Sequence, residues 1–256
     1  MRKKRMVLSG KKKVAAAVEY YGGSWADMNP EILVFILETI PIDEIIKTVS
    51  LVCKAWNKVV SSEYFWCNIH VDVADWSRLF RKLDDVSVDI SVTKLMRWSK
   101  NKFRRLTCYG SGNSGFISIA IRGRYLTVLQ MPLSSICDEI VLNHIKSLPN
   151  LKELDISQCS NITAKGLEAF GSHCKSLVCL KRNMDLKEHY NNICIDPLDD
   201  SEANVIADTM MYLQSLELGY GTFGNDGLFE ILTKCKSLKH LVINGCFHVT
   251  FEGGII

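Results

Sequence analysis

Two Gly-x-Gly-x-x-Gly strings, Gly110/Gly112/Gly115 and Gly219/Gly221/Gly224, are the residues of this 256-residue chain whose spacing most directly suggests chemistry. Such strings cradle a phosphate or dinucleotide where a strand turns into a helix. Both follow strand-like spacing and precede helical spacing, yet neither is accompanied by the βαβ unit and later acidic residue that dinucleotide binding needs. They fall at nearly the same phase of a sequence repeat, where a tight turn calls for glycine on conformational grounds alone. The strings therefore read as turns. His70, His144, His173, His189, His240 and His248 show no metal-ligand or triad spacing, and the 10 cysteines include no Cys-x-x-Cys pair that would mark a RING or zinc ribbon. Nothing resembles an activated nucleophile. The chain is expected to be no enzyme and to hold no cofactor and no metal, so its function must lie in surfaces.

Charge narrows which surfaces. The formal net charge of +3 is misleading, because Arg2, Lys3, Lys4, Arg5, Lys11, Lys12 and Lys13 all precede the first acidic residue, Glu19. Without those seven, 24 basic residues face 28 acidic ones. The folded body is thus mildly acidic, and nucleic acid is an unlikely partner for it. The basic tail could bind nucleic acid loosely or act as a nuclear import signal, the alternative being a solvated, disordered terminus. No run approaches the apolar length of a membrane span, and Val14 to Val18 is too short for a signal-peptide core. The expected location is nucleus, cytoplasm or both, where the cysteines remain thiols.

The elements that build the first surface lie between residues 28 and 66. Asn29 is a good N-cap, Pro30 suits the first helical position and Glu31 complements the helix dipole, so a helix should begin there. Ile32, Leu33, Phe35, Ile36, Leu37 and Ile40 occupy more than one helical stripe, which leaves two faces to cover. Pro41 should end the helix. A second short helix is expected near 43–48 and a third near 50–60, bearing Leu51, Val52, Ala55, Trp56 and Val59. A segment of roughly forty residues cannot enclose all these side chains unaided. The excess implies a partner.

The string Leu51-Val52-Cys53-Lys54-Ala55-Trp56, with Trp66 ten residues on, resembles an F-box. Met28 and Asn29 stand where that family usually has Leu-Pro, the proline being displaced to position 30. The resemblance implies docking onto the Skp-type adaptor of a Skp/cullin/F-box (SCF) ubiquitin ligase. It assigns adaptor contact to Met28, Pro30, Ile32, Leu33, Ile36, Leu37, Leu51, Val52, Cys53, Trp56 and Trp66.

The second surface comes from a repeat. Phe103/Leu106/Cys108, Leu126/Leu129/Met131, Leu151/Leu154/Ile156, Leu213/Leu216/Leu218 and Leu238/Leu241/Ile243 repeat one pattern at steps of 23, 25, 62 and 25 residues. The long step divides at Leu177 into 26 and an extended unit of 36. Alternation within each match predicts a short strand, and segments such as 166–170 and 227–232 have helical spacing. No unit can bury its apolar side alone, so stacking should build one core and a curved solenoid. Cys159, Cys174, Cys235 and Cys246 fit that core as compact apolar residues.

Two departures stand out. Arg182 occupies an inward position, where a bulge could let Met184 fill the core instead, and 185–202 reads as a surface insertion suited to binding. The last unit stops at Ile256 as its helix should begin, which predicts either a truncated form or a partner covering that end.

These units resemble the cysteine-containing leucine-rich repeats of plant-type F-box proteins. The resemblance implies an α/β chain: a small three-helix F-box followed by a curved leucine-rich-repeat solenoid, with short parallel strands on the concave side and helices on the convex side. The expected parts are a disordered basic tail (1–24), the F-box (25–66), a helical connector capping the solenoid (67–102) and the repeats (103–256). The connector carries a strand-like segment at 67–73 and helices bearing Trp76, Leu79, Phe80, Leu95, Met96 and Trp98. Concave positions expected to meet a protein substrate include Arg105, Tyr109, Gln130, Glu153, Asp155, Lys181, Glu217 and His240. The implied role is that of a substrate receptor, linked through the adaptor to a cullin. The rival is a protein-interaction scaffold independent of any ligase.

Overall fold

In the computed structural model, which describes residues 25–73, 85–185, 187–189, 192–194 and 196–250, the first helix is α1 (Pro30–Leu37). It begins where expected, the Asn29 side chain accepting the Glu31 N–H at 2.8 Å. It ends at Leu37, and Pro41 instead precedes the next turn, Ile42–Glu44, which continues as a π-helical stretch over Ile45–Val49. The expected helix at 50–60 is broken. Cys53 is extended (φ −159°) and its Sγ accepts the Trp56 N–H at 3.5 Å, so Ser50–Val52 is a separate turn and α2 (Lys54–Val60) starts afresh. The Asn57 side chain bridges the break by donating to the Ser50 carbonyl at 2.9 Å. A further helix, α3 (Glu63–Asn68), is capped by Ser62. Phe65 and Trp66 on α3 meet edge to face at 5.2 Å in the core beneath these helices.

The rest is a parallel sheet of seven three-residue strands: β1 (His70–Asp72), β2 (Arg105–Thr107), β3 (Val128–Gln130), β4 (Glu153–Asp155), β5 (Cys179–Lys181), β8 (Ser215–Glu217) and β9 (His240–Val242), in that spatial order. An antiparallel hairpin, β6 (Lys187–His189) with β7 (Asn192–Cys194), forms in the insertion. Register aligns Val71, Leu106, Leu129, Leu154, Leu180, Leu216 and Leu241 across the sheet. All but Leu241 are fully buried, so this row is the spine of the core.

Helices α4 (Asp85–Trp98), α5 (Asn113–Arg122), α6 (Asp138–His144), α7 (Ala164–His173), α8 (Ser201–Thr209) and α9 (Asn225–Lys234) pack side by side on the other layer. The sheet begins at His70, inside the segment expected to be a connector, and α4 packs along α5, so part of 67–102 is the first turn of the solenoid. Leu95 and Met96 are buried and Trp98 is exposed, while Trp76, Leu79 and Phe80 lie outside the described residues, as do the basic tail and residues 251–256.

An aspartate near the start of one helix caps the next. Asp89 accepts from the Gly112 N–H and the Ser111 hydroxyl, each at 2.8 Å; Asp138 accepts from Thr163, and Asp200 from the Gly224 and Gly227 N–H groups. A Cβ on Gly115 would sit 2.3 Å from the Asp89 carboxylate. The first glycine string therefore makes room for a carboxylate of its own chain at the position where a phosphate would bind.

Arg182 is the other correction. No bulge removes it: it points inward, 4% exposed. Its guanidinium donates to the Cys159 and Ile162 carbonyls at 3.0 and 2.7 Å and to both oxygens of Glu202 at 3.3 and 3.0 Å. A buried cation is tolerable because its planar fork of donors is matched this fully. Met184 contributes only its sulfur, 3.0 Å from one guanidinium nitrogen.

Candidate functional site

The capped start of α1 fixes which of its faces looks outward. Leu33, Val34 and Leu37 turn into the core, whereas Ile32 and Phe35 point to solvent, 55% and 73% exposed. On the turn that precedes the Cys53 break, Leu51 and Val52 are likewise 79% and 54% exposed. Pro30 is exposed, and Met28, Ile36, Cys53 and Trp56 are half-buried. Leu33, Leu37 and Trp66, assigned to adaptor contact in the sequence, are instead enclosed by their own chain, because they supply the core on which α1 and α3 rest. Phe35, read in the sequence as one of the helix's apolar residues but not as a contact position, shares the outward face with Ile32. The i, i+3 spacing from Ile32 is what puts the two on one face.

Between the start of α1 and α2, a groove of about 410 Å³ is lined by Trp25, Met28, Pro30, Trp56 and Tyr64 among others. The Trp56 indole donates to the Trp25 carbonyl at 2.9 Å and the two rings meet edge-on at 6.2 Å, which fixes one wall.

On the sheet, register gathers the expected concave residues into two rows. One runs Arg105, Val128, Glu153, Cys179, Ser215, His240; the other Thr107, Gln130, Asp155, Lys181, Glu217, Val242. Tyr109, just past β2, is 43% exposed. Strand β1 extends the rows with His70 and Asp72, which lay outside the leucine pattern and were not anticipated.

Much of this face is committed internally. The Thr107 hydroxyl donates to Gln130 Oε1 at 2.8 Å and so accepts from His70 Nε2–H at 2.8 Å, which places the imidazole proton on Nε2. Burial, then the Arg105 charge, depress the His70 pKa and favour the neutral ring. Arg105 donates to the Asn68 carbonyl at 2.6 Å. Lys181 pairs with Glu217 at 2.8 Å, and Asn183 joins Glu217 to the Gly219 N–H. Burial opposes ionisation of Glu217, but the hydrogen bonds from Lys181 and Asn183 outweigh it and hold the carboxyl below its ordinary value. Glu153 and His240 are exposed and Asp155 is half-buried.

The core thiols have no part in this surface. Burial pushes Cys159 up to about 11 and Cys174 up to about 12, far from the thiolate form that reacts or binds metal.

Residues 30–72 match the F-box-like family model and residues 147–171 match the model of a leucine-rich repeat. The chain is 33% identical over 229 residues to F-box protein FBW2 of Arabidopsis thaliana, a match covering 89% of this chain and 70% of that protein. It is 28% identical over 249 residues to F-box protein SKIP1 of the same plant, covering 91% and 82% respectively. With an exposed apolar band on its N-terminal helices and a parallel sheet built on a leucine repeat, this chain belongs to the family of F-box proteins with leucine-rich repeats.

Proposed function

We propose that this chain is the substrate-recognition subunit of an SCF ubiquitin ligase: its F-box seats on a Skp-type adaptor and through it a cullin, and its repeats hold a protein destined for ubiquitination and proteasomal degradation. The observation that carries the first half is the band of Ile32, Phe35, Leu51 and Val52, four large apolar side chains more than half exposed on one small helical unit. Water is a poor neighbour for so many large apolar side chains on so small a unit, and such exposure is what a docking partner would relieve. The repeats support the second half, since their sheet offers a row of polar side chains backed by a rigid core. On this reading the chain supplies no catalytic group. It contributes proximity, raising the effective concentration of substrate lysines near the charged enzyme.

The test is direct capture. Purified chain mixed with a Skp-type adaptor and cullin should retain both, and the retained complex should ubiquitinate proteins bound to the repeats. Failure to retain the adaptor would refute the F-box reading. Retention of adaptor without cullin would leave a scaffold.

A further inference from the structure

Beyond the C-terminal ends of β5 and β8 the chain shapes a cavity of about 180 Å³. One wall is apolar, formed by Ala203, Leu218 and Phe223. The floor is the Arg182–Glu202 pair, in which the cation already has its own carboxylate. At the mouth stand Asp185, from the segment after β5, and Asp199, from the segment before α8. Both are exposed, and among the described residues neither pairs with a cation; the Asp199 carboxylate accepts the Ser201 N–H, at 2.9 Å, while its carbonyl accepts the Thr222 hydroxyl.

The sheet leading to this mouth has the same sign. Glu153 and Asp155 lie on β4, Glu217 lies on β8, and Lys181 between them is held by Glu217. The described residues contain no group of three metal-binding side chains, so the arrangement does not suit a bare cation. An apolar wall under a carboxylate rim suits a side chain with an aliphatic stem and a cationic head. Complementary charge of this kind also selects partners by repelling the wrong ones.

We propose that this cavity receives a lysine or arginine side chain of the protein substrate, with the flanking residues lying extended across Glu153 and Asp155. The proposal rests on the substrate-receptor reading and names the class of segment that the receptor takes, a basic one.

The experiment presents immobilised full chain, with and without a Skp-type adaptor, to four pools of nonapeptides, with central Arg, Lys, Glu or Leu and uncharged residues elsewhere. The Arg and Lys pools should be retained about five-fold over the Glu and Leu pools, as expected for two rim charges acting together. The double variant Asp185→Asn/Asp199→Asn should lose that preference, because asparagine keeps the acceptor for the Ser201 N–H and removes only the charge. The distant surface variant Glu139→Gln should keep it. Equal retention of all pools, no retention of any, or a preference that survives the double variant would each overturn the proposal. Adaptor capture, measured on the same preparations, should be unchanged throughout. If the wild-type chain fails to capture adaptor, the F-box reading falls and the peptide preference still stands or falls by its own result.

Discussion

Phe35 and Leu33 sit two residues apart on α1, one 73% and the other 1% exposed, and this contrast allows binding to be separated from folding. Truncating Phe35 to alanine removes a ring that the chain itself hardly covers, so stability should move by no more than about 0.5 kcal/mol. A phenylalanine offers about 150 to 250 Å² for burial, of which roughly three-quarters is still bare here, equivalent to about 3 to 4.5 kcal/mol if a partner covered it completely. Interface anchors are rarely covered completely, so a working value is about 2 kcal/mol, or some thirty-fold in the dissociation constant. Leu33→Ala should do the reverse. It should cost about 2 to 5 kcal/mol of folding stability through the cavity left in the core, and weaken binding only as far as it depletes the folded state. The assays are calorimetric titration with a Skp-type adaptor and thermal unfolding, run on both variants at a temperature where both are folded. If Phe35→Ala binds like the wild type while Leu33→Ala, still folded, loses affinity, the outward face is not the docking face and the assignment of sides on α1 is wrong.

Two further outcomes concern the solenoid. Glu202→Ala leaves the Arg182 guanidinium buried without its carboxylate and should destabilise the chain by about 3 kcal/mol, more than Arg182→Met. In the latter the Glu202 side chain, 32% exposed, regains water; the Cys159 carbonyl keeps the Ile162 N–H at 3.1 Å, and only the Ile162 carbonyl is orphaned, at about 1 to 2 kcal/mol. Urea unfolding ranks the two, and equal costs would contradict the pairing described. For His70, whose folded-state pKa lies below 6.5, the native chain binds fewer protons than the unfolded chain as pH falls beneath that value. Its contribution is therefore intact above pH 6.5 and lost as pH falls through the folded-state value. The melting temperature of His70→Gln should decline less on acidification than that of the wild type, and parallel curves would exclude the effect.

What the sequence made legible was whatever is decided locally or by period. Asn29, Pro30 and Glu31 act within one turn, so the start of α1 could be read directly. The leucine row from Leu106 to Leu241 repeats at steps of 23 to 26 residues, apart from the one step of 36 that holds the insertion, and register followed from it. The break at Cys53 was hidden because a thiol is a weak capping signal inside an apolar run. The strand-like character of 67–73 was readable, but not its place as β1 of the sheet, because Val71 stands in the leucine row without a leucine three residues before it. The sides of α1 could not be told apart, since both are apolar and periodicity alone says only that there are two. The partner of Arg182 lies 20 residues away beyond a hairpin, and no local rule connects them.

The junction between the two surfaces gives them a shared consequence. Helix α3 runs into β1 through Ile69 alone, which is buried, so no linker separates the F-box from the sheet. Glu63 pairs with Lys102 at 3.1 Å, the Cys67 thiol donates to the Lys102 carbonyl at 3.4 Å, and Arg105 reaches the Asn68 carbonyl at 2.6 Å. Only the first of these is a surface ion pair of small worth. The larger restraint is the core itself, continuous from Phe65 and Trp66 through Val71 to Leu106. A flexible tether would let a bound substrate sample a wide volume at a modest effective concentration, whereas this junction holds the cavity between β5 and β8 about 19 to 24 Å across the sheet from β1, at the spacing of parallel strands. On the proposed reading, the lysines that become modified are then chosen by how far they lie along the substrate from the basic segment held in that cavity, and not by the strength with which it is held.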